Sequence, residues 1–237
     1  MSASKTDEGA GVLSRETKDV KLCADLKTNI RTFESFFEND DTLNIRNFQN
    51  FHCAHLKGCI IYLDGMIDAQ SIELSVLRPL IRFECGAGMV ISAHEIIERV
   101  LETNRAEVLG DFGQMLLALL EGNTLLLLEG TSDATAINAK GFKTRAITDS
   151  FLERYVWGPQ EAFTESLITN TTLLRRKIKS PSLKIKFLML GTLTNTKVCV
   201  CYIEGVVKES ILETFFERIK SIDIDGVLRM IIYRQRY

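Results

Sequence analysis

The run His52-Cys53-Ala54-His55 holds two histidines and a cysteine, the residues in this sequence that most resemble a metal-binding motif. Imidazole and thiolate are common zinc ligands, but a structural zinc site needs about four ligands. No second pair of ligands stands out elsewhere, and the six cysteines include no Cys-x-x-Cys pair. We therefore expect no bound metal, no cofactor and six reduced thiols.

Four aspartates have positions that could serve acid–base chemistry. Asp64 and Asp68 flank the end of a predicted strand, where α/β proteins often place functional carboxylates. Asp64 is more typical of a turn, and Asp68 is more typical of a helix cap. A turn also accounts for Asp223 and Asp225. Because nucleophile-elbow, P-loop and His-Glu-x-x-His motifs are all missing, the sequence predicts a protein that is not an enzyme.

Composition excludes several other classes of function. The 237 residues are 46% hydrophobic and 25% charged with a formal net charge of −2, which is ordinary for a globular protein and gives no basic field for nucleic acid. The longest apolar runs, at 115–120 and 125–128, are far shorter than the ~18 residues that span a bilayer. Residues 1–18 are rich in Ser, Thr, Gly and charge, and are predicted to be a disordered tail.

Hydrophobic periodicity predicts an α/β fold with two subdomains, each a small sheet flanked by helices. The first is expected over 19–141 and the second over 142–237. Proline at Pro79 should end the helix that starts after Asp68. Cys199 and Cys201 alternate along a strand, so we expect both on one face as small buried side chains. Strands are predicted at 57–63, 124–128, 134–139, 144–147, 183–190, 197–203 and 226–232, and helices at 20–37, 69–77, from Ser92, 111–120, from Gly158-Pro159 and 208–220.

The segment that follows Pro159 predicts two short helices with an apolar side. Phe163 and Leu167 are four residues apart, so they should share a buried face. Asn170 is expected to cap the second helix through its side-chain oxygen. Burial of Leu173, Leu174 and Ile178 would leave Arg175 and Arg176 partly outward, with Glu161 or Glu165 near enough to pair with one of them.

The run from Trp157 to Ile178 resembles the signature of the GerA spore germination family. That signature has Gly-Pro, then Phe and Glu on a short helix, then Asn, then Leu-Arg-Arg, and these correspond to Gly158-Pro159, Phe163, Glu165, Asn170 and Leu174-Arg175-Arg176. Upstream, Arg145 and Glu153 match the family's arginine and glutamate. The resemblance extends over about 39–230. The sequence departs from the pattern at Asp149-Ser150, where the family has Glu-Pro, at Trp157, where it often has Arg, and at Ala162, where it has Gly.

The resemblance implies the soluble N-terminal region of a germinant receptor A subunit, on the cytoplasmic side of the spore inner membrane and facing the spore core. It implies membrane-spanning helices that this chain lacks, so the chain is expected to be a piece of such a subunit or a truncated paralogue. It further implies B-type and C-type subunits and further A subunits as partners. The implied role is assembly of the receptor and signalling of germination.

Two other functions remain open from the residues alone. A ligand in a cleft between the subdomains would make the chain a small-molecule-binding domain, and a hydrolase would use Asp64 or Asp68. Within the signature, the segment either locks the junction of the subdomains or forms a charged network at an interface. The candidate interface or signalling residues are Arg145, Gly158, Pro159, Glu165, Asn170, Arg175 and Arg176.

Overall fold

The computed structural model describes residue 17 and residues 20–84, 93–103, 105–141 and 162–226, which form a mixed α/β fold, as predicted. They divide into two compact units. The first holds the described residues up to Glu38 and Thr42–Pro181, and the second holds Asn39–Asp41 and the residues from Ser182. This division differs from the predicted boundary at Gly141. A β-carbon at Gly141 would stand 2.3 Å from the Asp68 backbone nitrogen, so this glycine is packed within the first unit.

The first unit contains a five-stranded antiparallel sheet in the order β1-β2-β4-β5-β3. β2 lies inside the sheet, between β1 and β4. Its nearly continuous apolar sequence predicts such a position, which is buried on both faces. The structure has two strands, β1 and β3, that the sequence analysis does not predict. The strands are β1 Leu43–Gln49, β2 Lys57–Leu63, β3 Ala106–Leu109, β4 Thr124–Leu128 and β5 Ala134–Ile137.

Helices cover both faces of this sheet. Alternate residues of β2 point to opposite faces, so Cys59 and Ile61 join one apolar core and Ile60 joins the other. The first core includes α1 and α4, and the second includes α2 and α3. The helices of this unit are α1 Leu26–Phe36, α2 formed by Ala69–Ile72, Glu73–Leu77 and Arg78–Arg82, α3 Ala93–Arg99, α4 Phe112–Leu120 and α5 Leu167–Lys177.

Side-chain caps fix where several helices begin. Asp25 accepts a hydrogen bond from the Thr28 backbone nitrogen at 2.9 Å, so α1 starts later than its apolar periodicity predicts. Asp68 caps α2 by accepting from Gln70 N at 3.0 Å. Asp111 caps α4 by accepting from Gln114 N at 2.9 Å. The Asp68 cap is confirmed at the predicted residue, and Asp111, predicted as the first residue of its helix, is the cap that precedes it.

Pro79 does not end α2, contrary to the prediction. Glu73–Leu77 forms a π-helical turn in which the Arg78 backbone N–H bonds to the Glu73 carbonyl, five residues back. A π turn is wider than an α turn, and this widening gives the pyrrolidine ring room where an α-helix would clash with it. The helix therefore continues to Arg82.

The second unit consists of a β-hairpin and a helix in its described part. β6, Leu183–Leu190, pairs antiparallel with β7, Thr196–Ile203, and α6, Glu209–Lys220, follows. The predicted bounds of these three elements are confirmed by the structure to within one residue. The predicted strand at 144–147, all of the predicted strand at 226–232 except Gly226, and the predicted helix starts at Ser92 and Gly158-Pro159 lie outside the described residues.

Candidate functional site

The signature segment forms α5, and its start is fixed by two polar side chains. Ser166 is the cap, because its hydroxyl accepts a hydrogen bond from Thr169 N at 3.3 Å. Asn170 lies inside the helix instead of capping it, which corrects the prediction. Its side-chain oxygen accepts from Thr164 N at 2.7 Å, and its amide nitrogen donates to the Thr164 carbonyl at 2.7 Å. Asn170 is buried and holds the preceding loop against the helix.

Arg175 is buried, with 2% of its surface exposed, so the prediction that it points partly outward is wrong. Its Nη1 donates to the Ser180 carbonyl at 3.2 Å, and its Nη2 donates to the Thr42 hydroxyl at 3.3 Å. These bonds join the end of α5 to the residue that precedes β1. A guanidinium with several rigid donors is suited to such bridging, and burial without these partners would be costly.

Arg176, the next residue, is exposed on the last turn of α5 together with Lys177. Cations at this end of a helix interact favourably with the helix dipole. The two neighbouring arginines therefore differ in kind, since one is buried in the first unit and the other faces solvent.

The remaining predicted residues of the segment fall into two groups. Glu165 is exposed in the loop before α5, and Phe163 is 56% exposed, so the predicted burial of Phe163 beside Leu167 is wrong. A loop, and not a helix, carries Phe163, which removes the helical spacing on which that prediction depended. Arg145, Gly158 and Pro159 lie outside the described residues.

The turn after β2 packs directly against α5. Gly65 has a φ of +75°, and a β-carbon there would stand 2.5 Å from the Thr172 Oγ1 and 2.6 Å from the Ile168 Cγ2. The Asp-Gly dipeptide predicts the turn, but the close approach to α5 leaves no signal in the sequence. Glycine is therefore required both for the backbone conformation and for the contact with the signature helix.

Two of the aspartates considered for catalysis, Asp64 and Asp68, have structural roles. Asp64 accepts a hydrogen bond from Gly65 N at 3.0 Å, and Asp68 caps α2. The Asp225 backbone carbonyl accepts from Leu193 N at 2.9 Å, and the Asp223 side chain is exposed. Among the described residues, no three His, Cys, Asp or Glu side chains are arranged to hold a metal ion.

The structure corrects part of the prediction made for the cysteines. Cys23, Cys59, Cys199 and Cys201 are free, whereas Cys53 is disulfide-bonded and not reduced. Cys199 and Cys201 do share a face of β7, with their sulfur atoms 3.4 Å apart, but Cys201 is exposed and Cys199 is half-buried. The hydrogen bond with Cys201 and burial raise the pKa of the Cys199 thiol, and burial raises the pKa of Cys59 to about 12.

These pKa shifts predict low thiol reactivity in the folded chain. Because a raised pKa lowers the thiolate fraction at pH 8, Cys199 should be alkylated by iodoacetamide more slowly than in the urea-unfolded chain, and Cys59 should react only on unfolding. Replacing Cys201 by alanine removes the main cause of the Cys199 shift and should speed alkylation of Cys199. Mass spectrometry of labelled peptides between pH 7 and pH 10 measures each rate. Faster labelling of Cys199 in the folded chain would contradict the assignment.

Comparison with known proteins places this fold and its signature helix in a family. The family model for the Bacillus/Clostridium GerA spore germination protein matches residues 31–233, which include all of α5 and α6. The chain belongs to the GerA family. The resemblance found in the sequence around Arg175 and Arg176 is thereby confirmed.

Curated GerA-family relatives are longer than this chain. Spore germination protein KA of Bacillus subtilis is 28% identical over 211 residues, which cover 89% of this chain and 39% of the relative. Spore germination protein B1 of the same organism is 27% identical, and the match covers 88% of this chain and 42% of that protein. The chain therefore spans about two-fifths of the length of these relatives.

A solved structure has the same fold. The crystal structure of the N-terminal domain of the A subunit of the Bacillus megaterium spore germinant receptor GerK3 superposes with a TM-score of 0.69. It is 24% identical, and the match covers 86% of this chain and 74% of that domain. None of the helices in the described ranges combines the length and apolar character that crossing a bilayer requires.

Proposed function

We propose that this GerA-family chain is the part of a germinant receptor A subunit through which the receptor assembles and passes on the germination signal. The family match over residues 31–233 is the observation that carries the proposal. The region would lie on the cytoplasmic side of the spore inner membrane and face the spore core. Its partners would be B-type and C-type subunits and further A subunits, and it would catalyse no reaction.

The contrast between Arg175 and Arg176 supports an assembly role for the signature helix. Arg175 donates hydrogen bonds to Thr42 and Ser180 of the first unit, and so serves the fold. Arg176 is exposed beside Lys177 and has a guanidinium that suits a carboxylate on another subunit. Exposed Phe163, in the loop before the same helix, adds an apolar contact of the kind found in interfaces.

Deletion of the gene for the full-length protein tests the role in germination. Spores that lack it should fail to respond to at least one nutrient, and re-introduction of the gene should restore the response. Viability measured after lysozyme digestion of the spore cortex separates a germination defect from spore death. Deletion spores that respond normally to every nutrient used by the parent would contradict the proposal.

A further inference from the structure

The second unit contains a groove of about 1080 Å³ between α6 and the β6–β7 hairpin. Its apolar lining includes Leu188 on β6, Tyr202 on β7, and Leu212 and Phe216 on α6. The Tyr202 and Phe216 rings meet edge to face, with their centroids 6.4 Å apart. All of the lining residues belong to the second unit, whereas the signature helix belongs to the first. A binding site in this groove is therefore independent of the proposed role of the signature helix in germination.

The described residues of the second unit cover the apolar stripe of α6 only in part. Helix periodicity brings Ile211, Leu212, Phe215, Phe216 and Ile219 to one side, as in a helix that packs on a core. No residue of α6 is buried, however, and Ile211 and Phe215 remain 48% and 42% exposed. Of this stripe, Leu212 and Phe216 line the groove, and exposed apolar side chains beside charged ones are typical of interaction sites.

Three glutamates line the groove on the same helix. Glu209, Glu213 and Glu217 follow one another at four-residue spacing, so they form a row along one side of α6. Among the described residues, no cation lies within ion-pair distance of these three carboxylates.

Other acids of the groove are already paired. Asp41 forms an ion pair with Lys186 at 3.0 Å, and Glu204 forms one with Lys184 at 3.1 Å. Lys220 also lines the groove and offsets one of the three glutamate charges, so the glutamate row leaves a net negative charge for a partner.

We propose that this groove binds a basic amphipathic helix of a partner polypeptide. A helix repeats its side chains every three to four residues, so cations at every fourth position can match Glu209, Glu213 and Glu217 in register. Its apolar side chains would cover Leu212 and Phe216, which the described residues of the chain leave partly exposed. The twelve residues of α6 extend for about 18 Å, which is the length of about three turns of such a partner.

A synthetic peptide tests the proposal directly. The probe is a fluorescein-labelled, helix-stabilised 14-residue peptide with lysine at every fourth position and leucine on the adjoining stripe. Its control has glutamate in place of each lysine. Fluorescence anisotropy with the whole chain should show saturable binding of the basic peptide, at least tenfold tighter than the acidic one. Raising NaCl from about 50 to 500 mM should weaken binding several-fold, because exposed charges are screened.

Matched variants locate the binding surface. Glu213→Lys should weaken binding of the basic peptide at least tenfold, whereas Glu34→Lys, at an exposed position of α1, should leave it unchanged. Phe216→Ala should weaken binding of the basic peptide even at high salt, where the apolar contact dominates. Circular dichroism and thermal unfolding of each variant separate lost binding from lost folding.

Three results would overturn the inference. One is equal binding of the acidic and basic peptides, and another is unchanged binding by a folded Glu213→Lys variant. The third is concentration-dependent self-association that Glu213→Lys abolishes, seen by analytical ultracentrifugation, because a second copy of the chain would then be the occupant of the groove.

Discussion

Replacing Arg175 by alanine is expected to lower the free energy of unfolding of the chain by about 2–4 kcal/mol, because the change leaves a cavity and removes the hydrogen bonds of the guanidinium to Ser180 and Thr42. Arg175 is 2% exposed and donates to the Ser180 carbonyl and the Thr42 hydroxyl. Removing the guanidinium also removes the free-energy cost of burying its charge. The loss of stability should therefore be smaller than for deletion of an apolar core side chain of the same size. Urea unfolding followed by circular dichroism measures the change.

Arg176→Ala is the matched control for this prediction. The residue is adjacent, of the same type and on the same turn of α5, but it is exposed. Its replacement should change the free energy of unfolding by less than about 0.5 kcal/mol, as is usual for surface substitutions. Equal destabilisation by the two substitutions would contradict the assignment of Arg175 to the fold and Arg176 to the surface.

Gly65→Ala should be the second strongly destabilising change. A residue with a β-carbon at positive φ costs about 1–2 kcal/mol. At Gly65 the added methyl group also meets Thr172 and Ile168 of α5, which adds about 1–3 kcal/mol of overpacking. Thr172 cannot move aside cheaply, because it is buried and its hydroxyl donates to the Ile168 carbonyl at 2.8 Å.

Gly130 provides the control for the backbone part of this cost. It has a φ of +86°, but a β-carbon there would have no atom within 4 Å. Gly130→Ala should therefore show the backbone cost alone, and Gly65→Ala should exceed it. Adding Thr172→Ala to Gly65→Ala should give less than the sum of the two single effects, since it removes one of the overlapping groups. Strict additivity would show that the turn does not press on α5.

Local signals in the sequence predict much of this fold. The apolar run of β2, the Asp68 cap, and the alternation in β7 each depend on residues that are close in sequence, so their positions are confirmed to within about a residue. Pro79 shows where a local rule fails, because a π turn accommodates the ring that would break an α-helix.

The candidate site is less predictable because its contacts are distant in sequence. Arg175 and its partner Thr42 are separated by 133 residues, and nothing in either neighbourhood signals the hydrogen bond. The cysteines of β7 show the same limit. Alternation places Cys199 and Cys201 on one face, but α6 contacts the face of Tyr202 instead, which leaves the thiol face without cover from that helix.

A photo-crosslinking amino acid at position 176 of the full-length protein, activated by light in intact spores, tests the assembly role most directly. We expect a covalent adduct with another germinant receptor subunit, identified by mass spectrometry. The same group at Arg31, an exposed position of α1, controls for random collisions. The claim that this helix assembles the receptor would be contradicted if position 176 gave no subunit adduct above the Arg31 background in spores that germinate normally.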